Sequence, residues 1–401
     1  MTGGPYKLPE GWRWVRLGEV AWRESVTLKP SDQPNAVFRY LGMEHVVPGQ
    51  WEEPDPVEVR GCEIKSQVAV FRPGLVLYGK LRPYLNKVVV PSFEGVASTE
   101  FVPIATREDM LSPQYLGAFL RSPDFVAYAT RNTTGSRQPR IRFEALWNAL
   151  IPLPPLSEQR RIVARIEELM GRVREARRLR QEAQKDAERL WQSVLAETFP
   201  HPGSELPKGW RWVRLGEVAR REATLLKPSD YPSRPFRYLG MEHVAPGQWE
   251  EPEGLEIDGS EIKSQVVVFH PGLVLYGKLR PYLNKVVVPH TEGVASTEFV
   301  PIAPLLEVLD PEYLGAFLRT PFFVEYASAN TTGSRQPRTR LDVLWNTPIP
   351  LPPLEEQRRI VAELQAVQEK IKALKEAQAA TEAELKRLEQ AILDKAFRGE
   401  L

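Results

Sequence analysis

The sequence predicts mixed α/β (α+β) domains in tandem, each followed by a long helix. Three observations carry this. Matched stretches recur at one offset of 198 residues: "GWRWVRLGEV" begins at Gly11 and Gly209, "GKLRPYLNKVVVP" at Gly79 and Gly277, and "IPLPPL" at Ile151 and Ile349. Before each "IPLPPL", short β-branched runs such as "QVAVF", "LVLY" and "NKVVV" alternate with proline and glycine turns and with short helical pieces such as "PQYLGAFLRS". After it comes a proline-free stretch of heptad periodicity.

The repeat is far too long for a solenoid unit and fits a domain plus an appendage. The expected division is residues 1–154 for the first domain, 155–200 for its helix, 201–352 for the second domain and 353–401 for the second helix. The prolines of "IPLPPL" forbid helix through Pro155, and Ser157 is the expected N-cap of the first helix. Its expected seam is Ile162, Ile166, Leu169, Val173, Ala176, Arg180, Ala183, Ala187, Leu190 and Val194. The second runs Ile360, Leu364, Val367, Ile371, Leu374, Gln378, Thr381, Leu385, Leu388 and Ile392. These alternate steps of four and three, the a/d rhythm of a coiled coil. A helix of about 40 residues reaches about 60 Å, longer than a domain of this size is wide, so the two seams are expected to bury each other rather than each lie only on its own domain. The linker between the copies is too short to return the chain along a parallel pair, so the expected coil is antiparallel, with a pseudo-twofold axis relating the copies.

Composition narrows the class. A chain of 401 residues with 42% hydrophobic content can bury two cores. The one cysteine, Cys62, becomes serine at Ser260 in the second copy, which leaves no disulfide framework or cysteine metal site. No basic and apolar leader opens the sequence and no apolar run of about 18 residues occurs, so a soluble, cytoplasmic protein without a membrane partner is expected. Net charge is only +1, but the basic residues cluster. Gly79–Pro91 holds Lys80, Arg82 and Lys87 with no acid, and the stretch from Arg131 to Arg142 holds Arg131, Arg137, Arg140 and Arg142 with none. Such stretches on a neutral body suit a polyanion.

Two stretches invite an enzyme reading. "GLVLYGKL" nearly spells a phosphate-binding loop, yet Leu81 lacks the hydroxyl that would reach magnesium, and Leu75 to Tyr78 reads as a strand. "PDPVEVRGCEIK", from Pro54, has the carboxylate and lysine order of a metal-dependent DNA nuclease, the alternative function; a solvated turn before a strand fits it better, and Glu253 replaces Asp55 in the second copy. No glycine-rich cofactor loop with an N-P-P-Y or D-P-P-Y motif marks a methyltransferase. His45 and His243 have no second ligand nearby in sequence, so no metal or cofactor is expected.

The run "TTGSRQPRIRFEALWNALIPLPPLSEQRRIVARI" from Thr133, its partner "TTGSRQPRTRLDVLWNTPIPLPPLEEQRRIVAEL" from Thr331, and the closing "ILDKAFRGEL" resemble the specificity subunits of type I restriction-modification systems. The resemblance covers nearly the whole chain. It implies two target recognition domains that bind a bipartite double-stranded DNA site, and a non-catalytic scaffold. Its implied partners are modification subunits, which methylate adenine with S-adenosylmethionine, and restriction subunits, which translocate and cut.

Within that frame "TGSRQPR" is the leading DNA-contact candidate. Gly135 permits close backbone approach, Ser136 can donate to phosphate, Arg137 and Gln138 have the forked geometry that reads guanine and adenine edges, and Arg140 can hold the backbone. Lys80, Arg82 and Lys87 are candidate phosphate contacts, with Tyr84 as a stacking platform. The second copy supplies Lys278, Arg280, Tyr282, Lys285, Gly333, Ser334, Arg335, Gln336 and Arg338. In this family the two recognition domains commonly differ; here they nearly coincide, so the expected target is a gapped palindrome or close to one.

Overall fold

A computed structural model describes residues 4–401. It divides into two compact units, one holding the chain up to Arg180 together with Ala379–Leu401, the other Gln181–Gln378.

In the first unit a five-stranded sheet has the order Thr27–Leu28, Val68–Phe71, Gly95–Ser98, Val37–Leu41, Val57–Arg60, antiparallel except where Val37–Leu41 meets Gly95–Ser98. A four-stranded antiparallel sheet has the order Ala21–Arg23, Phe101–Thr106, Val76–Gly79, Val88–Val89. Strand alternation explains how both faces of the second sheet are used. Leu77, Val89, Phe101 and Ala105 face the first sheet's Leu41, Phe71 and Ala97 in one core, while Val76, Tyr78, Val88, Val102 and Ile104 join the helical core. That core takes in the helices Pro113–Leu120 and Pro123–Arg131 and parts of both long helices. The second unit repeats this arrangement with the strands Leu225–Leu226, Val266–Phe269, Gly293–Ser296, Pro235–Leu239 and Leu255–Asp258, and with a matching four-stranded sheet.

The long helices span Leu156–Thr198 and Leu354–Arg398. The first begins one residue before the expected cap: the amides of Glu158 and Gln159 donate to the Pro155 carbonyl, so Ser157 lies inside the first turn. What fixes the helix start is Gln159. Its side chain is fully buried, accepts from the Ser112 amide at 2.9 Å and donates to the carbonyls of Met110 (2.7 Å) and Pro154 (2.9 Å). Gln357 makes the same three bonds, to Asp310, Val308 and Pro352. The glutamine of "EQRRIV" thus pins helix to domain, satisfying loop backbone groups that burial would otherwise orphan.

Within the first unit the helices run antiparallel. Arg161 donates to the Leu401 carbonyl, whereas Arg177, farther along the first helix, grips Glu389 at 2.6 and 3.0 Å and Glu382 at 3.3 Å. Arg180 pairs with Glu382 as well. The heptad seam needs correction. Ile162, Ile166, Val173 and Ala187 are buried, but Leu190 is 55% exposed and its burial passes to Trp191, followed by Leu195 and Phe199. On the second helix Ile371, Gln378, Leu385 and Ile392 are buried at a strict spacing of seven, while Leu374 and Leu388 face outward. The reason is that each helix contributes a stretch to both units, and in each unit that stretch packs on the unit's domain as well as on the other helix, so part of the buried stripe follows the straight-helix step of four.

Candidate nucleic-acid interface

The two basic stretches, some sixty positions apart, form one patch. Gly79 closes the start of the first: its amide donates to the Lys87 carbonyl at 2.8 Å, and a Cβ there would stand 2.9 Å from that oxygen. Between them the chain passes through Arg82 and Asn86, both left-handed at φ 50°, around a single turn at Pro83–Leu85. Non-glycine residues pay for that conformation, and the neighbours that hold it are visible. The Arg82 amide donates to the Pro139 carbonyl at 2.6 Å, and the Asn86 side chain to the Arg121 carbonyl at 3.1 Å. Leu81 bridges Arg140, and the Ile141 amide donates to the Lys80 carbonyl at 3.1 Å. "GKLRPYLNK" is therefore stitched to "TGSRQPR".

"TGSRQPR" itself is a hairpin, with Thr133–Thr134 paired to Arg140–Ile141. Gly135 turns it at φ 90°, where an L side chain is strained. Gly135, Ser136, Arg137 and Gln138 are exposed at its tip, as are Arg82 and Tyr84 beside it. In the second unit Leu279 bridges Arg338, Arg280 is left-handed, and Arg280, Tyr282, Gly333, Ser334, Arg335 and Gln336 are exposed.

The remaining candidates have internal partners. Lys87 donates to the Met43 carbonyl at 2.6 Å, as Lys285 does to Met241, which ties the loop to the domain. Lys80 donates to the Thr99 carbonyl at 2.8 Å and lies 5.9 Å from the Phe143 ring centre; Lys278 meets Thr297 in the same way. Burial pulls the Lys80 ammonium below the ordinary lysine value against the opposing pull of Glu100. Arg140 is clasped by Glu100, Nε to Oε2 at 3.0 Å and Nη2 to Oε1 at 2.7 Å. That fork holds the Glu100 carboxyl below the usual carboxylate range. Arg338 and Glu298 repeat the pair at 3.0 and 2.8 Å.

Glu100 and Glu298 are the residues that sequence reasoning missed. They sit in "STEF", outside both basic runs, and the signal available was their recurrence at the common offset beside a strand. The histidines are structural: His45 Nδ1 accepts from the Gly42 amide at 3.0 Å, and His243 from Gly240. The lysine of the near phosphate loop follows a buried strand, Val76–Gly79, rather than a flexible cradle. Among the described residues no group of three or more His, Cys, Asp or Glu stands where it could hold a metal ion.

An exposed, glycine-turned hairpin beside a basic loop, supported on a rigid sheet, is an arrangement chemically able to offer forked side chains to base edges and cations to phosphates. Among proteins of similar sequence, the type I restriction enzyme EcoDI specificity subunit of Escherichia coli is 27% identical over 306 residues, covering 68% of this chain and 67% of its own. The MjaVIII specificity subunit of Methanocaldococcus jannaschii is 23% identical over 388 residues, covering 90% and 87%. Among solved structures, the HsdS subunit from Thermoanaerobacter tengcongensis is 40% identical with a TM-score of 0.63 over the full length of both chains. A chain from a study of complex assembly and conformational transition of the type I R-M system is 38% identical with a TM-score of 0.82, over 99% of this chain and 100% of its own. The sequence family described as type I restriction modification DNA specificity domain matches residues 87–183 and 276–383, just over half of the sequence. With both copies matched, and full-length structural relatives well above 30% identity, the chain belongs to the family of type I restriction modification DNA specificity domains.

Proposed function

We propose that the chain is the non-catalytic DNA-recognition subunit of a type I restriction-modification complex, and that each unit reads one half of a bipartite site through its joined basic loops. The observation that carries this is the stitching of "GKLRPYLNK" to "TGSRQPR" through Leu81 and Arg140, repeated at Leu279 and Arg338, in a chain of this family. Segments 1–154 and 201–352 act as recognition domains, with 155–200 and 353–401 as spacer helices. Because the two hairpin tips are identical in sequence, the target is a gapped site with nearly identical, inverted halves. Its partners are double-stranded DNA, adenine-specific modification subunits that use S-adenosylmethionine, and restriction subunits. Its place is the cytoplasm, with the DNA; no described helix is long and apolar enough to cross a membrane.

Binding to a randomised duplex library across a salt series tests the reading. Selected sites should be two inverted, near-identical halves, and log affinity should fall with log salt by about 0.9 per phosphate contact. Arg82→Ala with Arg280→Ala should flatten that slope and weaken all sequences alike, whereas Arg137→Ala with Arg335→Ala should relax one base position in each half. Binding without sequence preference, or two unrelated halves, would overturn the corresponding part.

A further inference from the structure

A glutamine amide carries one acceptor oxygen and two N–H donors, and an unconstrained Gln reads adenine by offering both at once. Gln138 is exposed at the hairpin tip but not unconstrained. Its Oε1 accepts from Arg140 Nη2 at 3.2 Å, and its main-chain carbonyl accepts from Nη1 of the same guanidinium at 3.3 Å. That guanidinium is in turn fixed by the two-point clasp of Glu100. Gln336, Arg338 and Glu298 reproduce every link, with Oε1 3.1 Å from Nη2 and the carbonyl 3.3 Å from Nη1. A planar guanidinium held by a bidentate carboxylate has little freedom, so the amide plane that leans on it has little either. The oxygen is drawn back to Arg140, and the NH2 group is the face left for a ligand.

We propose that Glu100 and Glu298 are positioning residues for specificity. Through Arg140 and Arg338 they set the Gln138 and Gln336 amides as hydrogen-bond donors, matched to a major-groove edge that carries acceptors and no donor, guanine or thymine, in place of adenine, whose N7 acceptor stands beside the N6 donor. This rests on the DNA-recognition reading above and deepens it. It also moves Arg140 and Arg338 from phosphate contact to orientation, since their charge is neutralised where they stand. The depressed Glu100 and Glu298 carboxyls are consistent with this, being ionised at neutral pH.

The test uses the full chain, E100Q/E298Q, and a randomised duplex library. The substitution preserves shape and removes the carboxylate. Discrimination at one base position in each half-site should fall about ten-fold or more, because the amide is free to flip. Affinity for non-specific duplex should hold or rise, and its salt slope should steepen, because two arginines are released beside the phosphates. A merely structural loss would lower both together. Q138E/Q336E supplies the second arm: a carboxylate cannot donate, so the selected base at that position should no longer be guanine or thymine. Unchanged discrimination in E100Q/E298Q, in a chain whose wild type does select a sequence, overturns the relay alone. A wild type that selects adenine at the position Gln138 controls overturns the donor assignment. A wild type with no sequence preference overturns the recognition reading, and the relay with it.

Discussion

Trp191 in the second unit and Glu389 in the first occupy the same position of the repeat. The Trp191 ring is buried and meets Trp249 edge to face, with ring centres 5.1 Å apart. Glu389 turns instead to Arg177, and a cleft of about 670 Å³ opens beside Trp51, lined also by Arg121, Arg174 and Lys386. The buried arginine behind each tryptophan records the difference. Arg319 Nε donates to the Gln248 carbonyl at 3.1 Å, while Arg121 Nε has no hydrogen-bond partner among the described residues. A second contrast lies under the hairpin, where the Tyr276 hydroxyl meets the Thr339 hydroxyl at 2.8 Å, whereas its counterpart Tyr78, in the unit that has Ile141 in place of Thr339, has no hydrogen-bond partner among the described residues. Two units of almost one sequence thus keep the same basic loops but differ in how completely the ground beneath them is filled and satisfied.

Truncation at the shared position should break the symmetry most. Trp191→Ala should cost the second unit about 3–5 kcal/mol, the usual price of deleting a buried aromatic. Glu389→Ala removes a partly exposed ion pair from the first unit and should cost about 1 kcal/mol or less. Amide exchange read separately on the strands Val76–Gly79 and Val274–Gly277 checks this, and equal losses would deny the contrast. Next in size, Thr339→Val leaves a buried phenol without its partner and should cost about 1–3 kcal/mol, while Ile141→Thr should give Tyr78 the bond it lacks and raise protection in the first unit. The tyrosines also report it spectroscopically. Burial, offset by Thr339, puts Tyr276 at about 12, and burial alone holds Tyr78 higher still, so Thr339→Val should move Tyr276 upward towards Tyr78.

The smallest effect separates the units by pH. Glu24 in the first unit meets Arg72 at 3.0 Å, and Glu222 in the second meets His270 at 2.9 Å. Hydrogen bonds that the His270 ring donates to the Glu222 carboxylate and the Pro271 carbonyl raise its pKa above that of the unfolded chain. The sign follows: its contribution is complete below the ordinary histidine value near 6.5 and is lost as pH rises through the raised folded value. The pair is half exposed, so the change should stay under about 1 kcal/mol. Only the second unit should weaken through that window, and His270→Arg should abolish the difference. A pH-independent second unit would show that the pair contributes nothing.

Much of this was legible in the residues. The duplication, the α+β domains, the long helices and the two basic stretches all lie in local pattern and spacing. The union of those stretches does not, because Leu81 and Arg140 meet only after the sheets and the Pro123–Arg131 helix have placed them. Arg140 shows the same limit: its charge marked it for phosphate, and its partner Glu100 lies forty positions away on another strand junction. The seam failed at Leu190 for a different reason. A heptad rhythm states which positions two helices can share, but here a domain competes for the same surface, and Trp191, one step round the helix, has more area to bury.

The first unit is not contiguous in sequence, and this sets an order of assembly on the ribosome. Its core around Ile162, Ile166, Met170 and Val173 is finished by Leu385, Ile392, Leu393, Ala396 and Phe397. The second unit is complete within Gln181–Gln378. At about 5–20 residues per second, the completing segment is translated roughly 10–40 s after the domain it closes. During that interval the earlier-made unit waits with an apolar helix face uncovered while the later-made one is translated. The half of the molecule whose synthesis begins first therefore cannot complete its core until the other half has been translated in full.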